Sequence, residues 1–273
     1  MVDDKHGHSG ERPPRPGGNG APRRGSRSER WSGQGRARPA QPQSTAGGGD
    51  RAHPEGPPIP SDVDARQLAP EIRRELSTLD RATADAVARH LVAAGELIDE
   101  DPEAALSHAR AARARASRIA TIREAVGIAA YYCGDWAQAL AELRAARRMG
   151  SKSSLLALIA DCERGLGRPE RAIELARGPE AAQLSGDDAD ELRIVAAGAR
   201  ADLGELEQAL TVLCTPQIEK GRTGSTAARL YYACADILLA LGRHDEALQW
   251  FLRSAAADID GATDAEDRVS ELG

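Results

Sequence analysis

No apolar run in the sequence reaches the ~18 residues that a membrane span needs. The opening residues, Met1-Val2-Asp3-Asp4-Lys5, lack the apolar core of a secretory signal. Together these absences lead us to expect a cytoplasmic protein with no membrane contact. Cysteine is sparse: Cys133, Cys162, Cys214 and Cys234 are far apart, each in an apolar helical stretch. That pattern fits small buried hydrophobes better than a disulfide framework, and no Cys–His spacing points to zinc. Asn occurs once, at Asn19, and Lys three times against 33 Arg, a bias typical of a GC-rich coding sequence.

Signs of catalysis are missing too. The stretch GSKSS, Gly150–Ser154, comes nearest to a phosphate loop. Ala145 stands where the first Gly belongs, no Gly directly precedes the Lys, and the stretch follows a helix rather than a strand. No Ser lies in a nucleophile-elbow context. His6 and His8 lie near Asp3 and Asp4, but an unstructured segment would first have to be ordered to hold a metal. We therefore expect no catalytic residue, no metal and no cofactor.

What the sequence does contain divides it in two. Residues 1–60 hold 12 Gly and 10 Pro, with little apolar content to offset the entropy of ordering. They read as a disordered arm carrying +4, on a body carrying −10, for a net −6. The body is rich in Ala, Leu, Arg and Glu, which favour helix.

Inside the body a spacing recurs. Gly134, Gly167, Gly204 and Gly242 are each followed five residues later by Ala139, Ala172, Ala209 and Ala247; Glu100 and Ala105 form a degenerate fifth copy. Seven residues before each of these turns stands a small residue: Ala93, Gly127, Ala160, Ala197 or Ala235. The spacing predicts two antiparallel helices per unit. Small residues should sit where the helices approach, with Gly leaving the first helix at positive φ. Four residues beyond each Ala come Ala109, Leu143, Ala176, Leu213 and Phe251, on the same face and expected to pack on the neighbouring unit. A single unit cannot bury both its faces, so units should stack.

AAYYCGDWAQAL (Ala129–Leu140) and LALGRHDEAL (Leu239–Leu248), with LIADCERGLGRPERAI (Leu158–Ile173) and AAGARADLGELEQAL (Ala196–Leu210), resemble the tetratricopeptide repeat family. LVAAGELIDEDPEAAL (Leu91–Leu106) resembles it less, because Glu100 replaces the Gly. The whole body also looks like an actinobacterial group of such repeat proteins with an Arg/Gly/Pro-rich N-terminal arm, a resemblance that implies a fold and no activity. An all-α, right-handed α-solenoid of about five repeats is implied. The layout is then an arm at 1–60, a leading helix and cap at 61–83, repeats at 84–257 and a polar C-terminal cap at 258–273. PEIRRELSTL (Pro70–Leu79) reads as the leading helix, and Thr263 with Glu266 as a capping box opening the last one.

In the family, first helices line a concave groove. The matching positions here are Glu124, Ile128, Tyr131 and Tyr132, then Asp161 and Arg164, then Arg229, Tyr232 and Asp236. Members that grip a C-terminal carboxylate use Lys and Asn there, and this body has no Asn. Tyr with mixed charges suits a protein or peptide segment, and also suits filling space between helices. Arg110, Arg144 and Arg177 occupy equivalent places in successive second helices, as do Arg113 and Arg147. This ladder is a candidate anion-binding surface, although Arg late in a helix also suits its negative dipole end. The arm segment 22–39, PRRGSRSERWSGQGRARP, carries Arg, Gly and Trp31 and could contact RNA or serve as a solubilising linker. Two functions follow: a non-catalytic scaffold binding protein partners, or an RNA- or ribosome-associated adaptor.

Overall fold

The computed structural model describes residues 56–151, 154–215 and 221–273. Among these residues there is no strand. Twelve α-helices follow one another: α1 Pro70–Leu76, α2 Arg81–Leu97, α3 Pro102–Arg115, α4 Ala120–Tyr132, α5 Trp136–Arg148, α6 Leu156–Gly165, α7 Pro169–Ala176, α8 Gly186–Asp202, α9 Leu206–Cys214, α10 Ser225–Ala240, α11 His244–Ala257 and α12 Ala265–Leu272. None is long and apolar enough to cross a membrane.

Local chemistry explains where the helices begin and end. Asp80, Asp101 and Asp135 each cap a helix by accepting the backbone N–H three residues on, at 3.0, 3.0 and 3.1 Å. Gly134, Gly167, Gly204 and Gly242 all adopt left-handed backbone, with φ of 73, 74, 78 and 76°. In all four turns the Gly N–H reaches back three residues, and the next N–H reaches back five. This double bond satisfies two helix-end carbonyls and needs a residue free of a Cβ penalty. The degenerate turn is built differently. Glu100 and Asp101 both donate to the Leu97 carbonyl, at 3.2 and 2.8 Å, without a left-handed residue, and Pro102 then opens α3.

The helices pack in consecutive pairs, α2 with α3, α4 with α5, α6 with α7, α8 with α9 and α10 with α11. Each pair also packs on the next, and α2 touches α4, α6 touches α8 and α8 touches α10. All ten small positions named from the spacing are buried. Gly127 corrects one detail, because it meets Leu143 rather than the Ala one turn earlier. A Cβ there would lie 2.7 Å from the Leu143 side chain and 3.1 Å from its backbone nitrogen. The extra length in the third and fourth spacings lies between pairs, at 177–185 and in the stretch that follows α9.

The ends differ from expectation in two places. Disorder was expected of the arm up to residue 60, and residues 1–55 lie outside the described ones. Residues 56–60 are seated on the body: Gly56 lies against Ala111 and His90, where a side chain would collide, and Ile59 packs on the core of α2. Val63, Leu68 and Leu76 follow it into that core and cover the first pair. At the other end the capping box of Thr263 and Glu266 does not form, and α12 starts at Ala265 with no side-chain cap. Thr263 turns back instead, and its N–H and hydroxyl donate to Asp258 at 2.7 and 2.8 Å. Bonds to a charged acceptor outweigh a neutral cap.

Candidate functional site

The helices that open each pair place their polar side chains on one another. Tyr131, near the end of α4, donates its hydroxyl to Asp161 on α6. Asp161 accepts from Arg164 Nη1 at 2.7 Å, one turn along the same helix. Arg164 then grips Asp202 at the end of α8 with two nitrogens, at 2.7 and 3.3 Å. A relay of four side chains thus crosses three helices. Gly198 makes room for it, since a Cβ there would stand 2.9 Å from the Arg164 guanidinium carbon. Burial opposes the charge on Arg164, but the bonded Asp202 and nearby Asp161 outweigh it and raise its pKa. Burial, then the Asp161 charge, pushes the Tyr131 hydroxyl far up, so it acts as a donor.

A second link joins α8 to α10, where Arg229 pairs with Glu191 at 2.7 Å. Burial raises the Glu191 carboxyl by more than Arg229 lowers it. The charge of Arg229 also reaches the Tyr131 hydroxyl. Arg229 Nε is buried and bonds no acceptor. Tyr132 stands beside Tyr131, edge to face at 6.2 Å between ring centres, and is 48% exposed. Glu124, on the first turns of α4, accepts from Ser151 at 2.8 Å. Ile128 is half-buried and packs against the core.

The structure gathers Tyr131, Tyr132, Asp161, Arg164 and Arg229 from the sequence-predicted set and adds Asp202 and Glu191. It sets Tyr232 and Asp236 apart. Tyr232 is buried and packs edge-on against Phe251 at 5.1 Å; burial, then Asp264 just ahead of α12, pushes its hydroxyl far up. Asp236 lies in the same place, and burial pushes its carboxyl up to about 6 despite Arg268. The last helix closes over this part of the face, which the repeat spacing gave no means of seeing. Asp202 was hard to find among the many acids of helical surfaces. Gly198 was a usable signal, because Gly inside a helix costs ~1 kcal/mol against Ala and tends to mark a close approach.

Most of the Arg residues expected to form a ladder are paired. Arg110 bonds Gln138 and lies 3.7 Å from Asp135. Arg113 and Arg123 share Glu142, Arg144 reaches Glu163 at 2.5 Å, and Arg147 reaches Glu180 at 2.9 Å. Arg177 is exposed at the end of α7. A cleft of about 730 Å³ brings Arg144, Arg147, Arg168 and Arg171 together, but Glu163, Glu174 and Glu180 line it as well. These cations are largely matched before any anion arrives.

No family model matches the chain, and no curated protein matches it.

Proposed function

We infer that the chain is a non-catalytic adaptor of the tetratricopeptide type, a right-handed α-solenoid that binds an extended protein segment along the face of α4, α6, α8 and α10. Five pairs with small residues at their crossings and four identical glycine turns support the repeat architecture. The binding reading rests on one observation above the others: Arg229 on this face keeps a buried Nε without an acceptor, while its charge reaches the Tyr131 hydroxyl and Tyr132 stands exposed next along the chain. A backbone carbonyl or carboxylate of an extended segment can pair with the exposed part of the Arg229 side chain, which is 34% exposed, and Tyr132 offers apolar contact with little entropy to lose.

The test is capture from nuclease-treated lysate by the full chain, compared with a Tyr132→Ala/Arg229→Gln variant of matched thermal stability. Loss of specific protein capture in the variant supports the groove, and identical capture rejects it. Capture that requires nucleic acid and fades steeply with salt would instead favour the RNA-associated reading, since phosphate contacts release counterions.

A further inference from the structure

The first helix pair buries two imidazoles against each other, and a short piece of chain lies across them. His90 of α2 and His108 of α3 meet through their Nδ1 atoms at 3.0 Å, and both are buried. Residues 56–60, Gly-Pro-Pro-Ile-Pro, pass over this place. A Cβ on Gly56 would collide with the Ala111 side chain and lie 3.2 and 3.4 Å from Cε1 and Nε2 of His90. The chain therefore stands against the Nε2 edge of His90, while His108 occupies its Nδ1 side. Three of the five residues are Pro, which donate no backbone hydrogen bond, so packing of Gly56 and Ile59 holds this stretch. The chain beyond it is pinned: Val63 is buried, and its carbonyl accepts from Arg89 Nε at 3.0 Å. We propose that residues 56–60 form an acid-released strap, closed over α2 and α3 while the His90–His108 pair is neutral and lifted when the pair takes up protons.

Proton counting gives the direction. In the neutral pair one Nδ1–H donates to the bare Nδ1 of the other ring. A first added proton leaves that bond in place but puts a full charge in a buried site. A second sets N–H against N–H across 3.0 Å. The surroundings oppose both steps. Burial, then Arg115 and His108 on α3 and Arg89 on α2, holds His90 down to about 4, and burial lowers His108 as well. No carboxylate is among these groups. Residues 56–61 carry no ionisable side chain, and Glu55, just before the strap, lies outside the described residues.

Lifting the strap admits water to the Nε2 edge and returns His90 towards the ordinary imidazole value of 6.5. The closed form then binds protons more weakly than the open one. Closure is therefore strongest above about 6.5 and weakens as pH falls towards 4. His90 alone should weaken closure by roughly twentyfold between pH 7 and pH 5, and His108 acts in the same direction. Release takes Ile59 out of the core of α2 and lengthens the tether that joins the arm to the body. The strap rests on neither the repeat reading nor the peptide reading.

The test is hydroxyl-radical footprinting of the full chain at pH 7 and pH 5, read by peptide mass spectrometry, with helical circular dichroism followed on the same samples. Oxidation of Ile59 should rise several-fold at pH 5, while Leu213 and Phe251, buried in other pairs, stay protected. A His90→Gln/His108→Gln variant should lose the pH dependence, since two amides can bond each other at either pH. Gly56→Leu collides with Ala111 and His90 and leaves both imidazoles in place. It should expose Ile59 already at pH 7, with the helices intact. Equal protection of Ile59 at the two pH values, a pH dependence that survives in the double variant, an Ile59 that Gly56→Leu leaves protected, or a loss of helical signal in step with Ile59 oxidation would each overturn the proposal.

Discussion

The first and last helix pairs obey the same spacing and bury opposite kinds of titratable group. Between α2 and α3, His90 and His108 face each other through their Nδ1 atoms at 3.0 Å, both buried. Between α10 and α12, Asp236 is half-buried, near Arg268 and Asp264. Burial, then the charges of Arg115, His108 and Arg89, lowers His90 to about 4, whereas burial raises Asp236 to about 6. The spacing dictates where helices must approach, and it leaves open what fills the polar places beside the approach. Two ends of one architecture thus respond to acid with opposite sign.

The largest expected effect follows from that difference. His90 binds its proton more weakly folded than unfolded, so its contribution is complete above about 6.5 and is lost as pH falls towards 4. The loss amounts to ~3 kcal/mol, and His108, lowered by burial, acts in the same direction. Asp236 binds its proton more tightly folded, so the C-terminal end gains stability as pH falls through 6. Hydrogen exchange at pH 7 and pH 5, corrected for intrinsic rates, should show α2 and α3 losing protection and α10 to α12 gaining it. Changes of one sign throughout would remove the contrast.

The next test asks whether the two ends are alike where the spacing says they are. Ala105 and Ala247 are fully buried at equivalent crossings, as is Ala139 between them. Leu at any of the three should cost ~1–3 kcal/mol or more through overpacking. Denaturant midpoints should fall by similar amounts. An Ala105→Leu variant that is unchanged while Ala247→Leu unfolds would show that the degenerate first pair is only a partial copy.

A smaller effect, of the opposite sign, is expected from Asp236→Asn. Removing a carboxylate that burial disfavours should stabilise the protein by ~1–3 kcal/mol at pH 7. The gain should vanish near pH 4, where the wild-type Asp236 is already protonated. A loss of stability at pH 7 would mean that its attraction to Arg268 outweighs its desolvation.

Legibility in the sequence tracked the same division. The small residues and glycine turns could be read from spacing alone, because steric demands at a helix crossing recur with every unit. Tyr131, Asp161 and Arg164 could be reached by carrying first-helix positions from copy to copy. Their partners could not, since Asp202 and Glu191 are two acids among many and only the stacking of α6, α8 and α10 selects them. Tyr232 stands ten residues before its turn, where Glu124 stands in the second pair, and is nevertheless buried, because α12 lies outside the repeat.

The smallest effect concerns the turns, and it separates the two ends by backbone chemistry alone. Gly242 sits at φ 76° in the last pair, where any side chain is strained. Gly242→Ala should cost about 1–2 kcal/mol, the usual penalty for an L-residue in left-handed backbone. The first pair has Glu100 at the corresponding place, in a turn made by two bonds to the Leu97 carbonyl, and no non-Gly residue described has positive φ. Glu100→Gly restores the sequence signature of the other four turns, and if the signature itself were stabilising the variant would gain. The backbone argument predicts the reverse. Glycine adds freedom to the unfolded chain and relieves no strain in a turn already in ordinary backbone, so Glu100→Gly should lose a few tenths of a kcal/mol up to ~1. Paired denaturation curves for the two variants decide the matter. A midpoint that rises for Glu100→Gly would mean that the first turn is a strained copy of the others, rather than a different turn that reaches the same pairing.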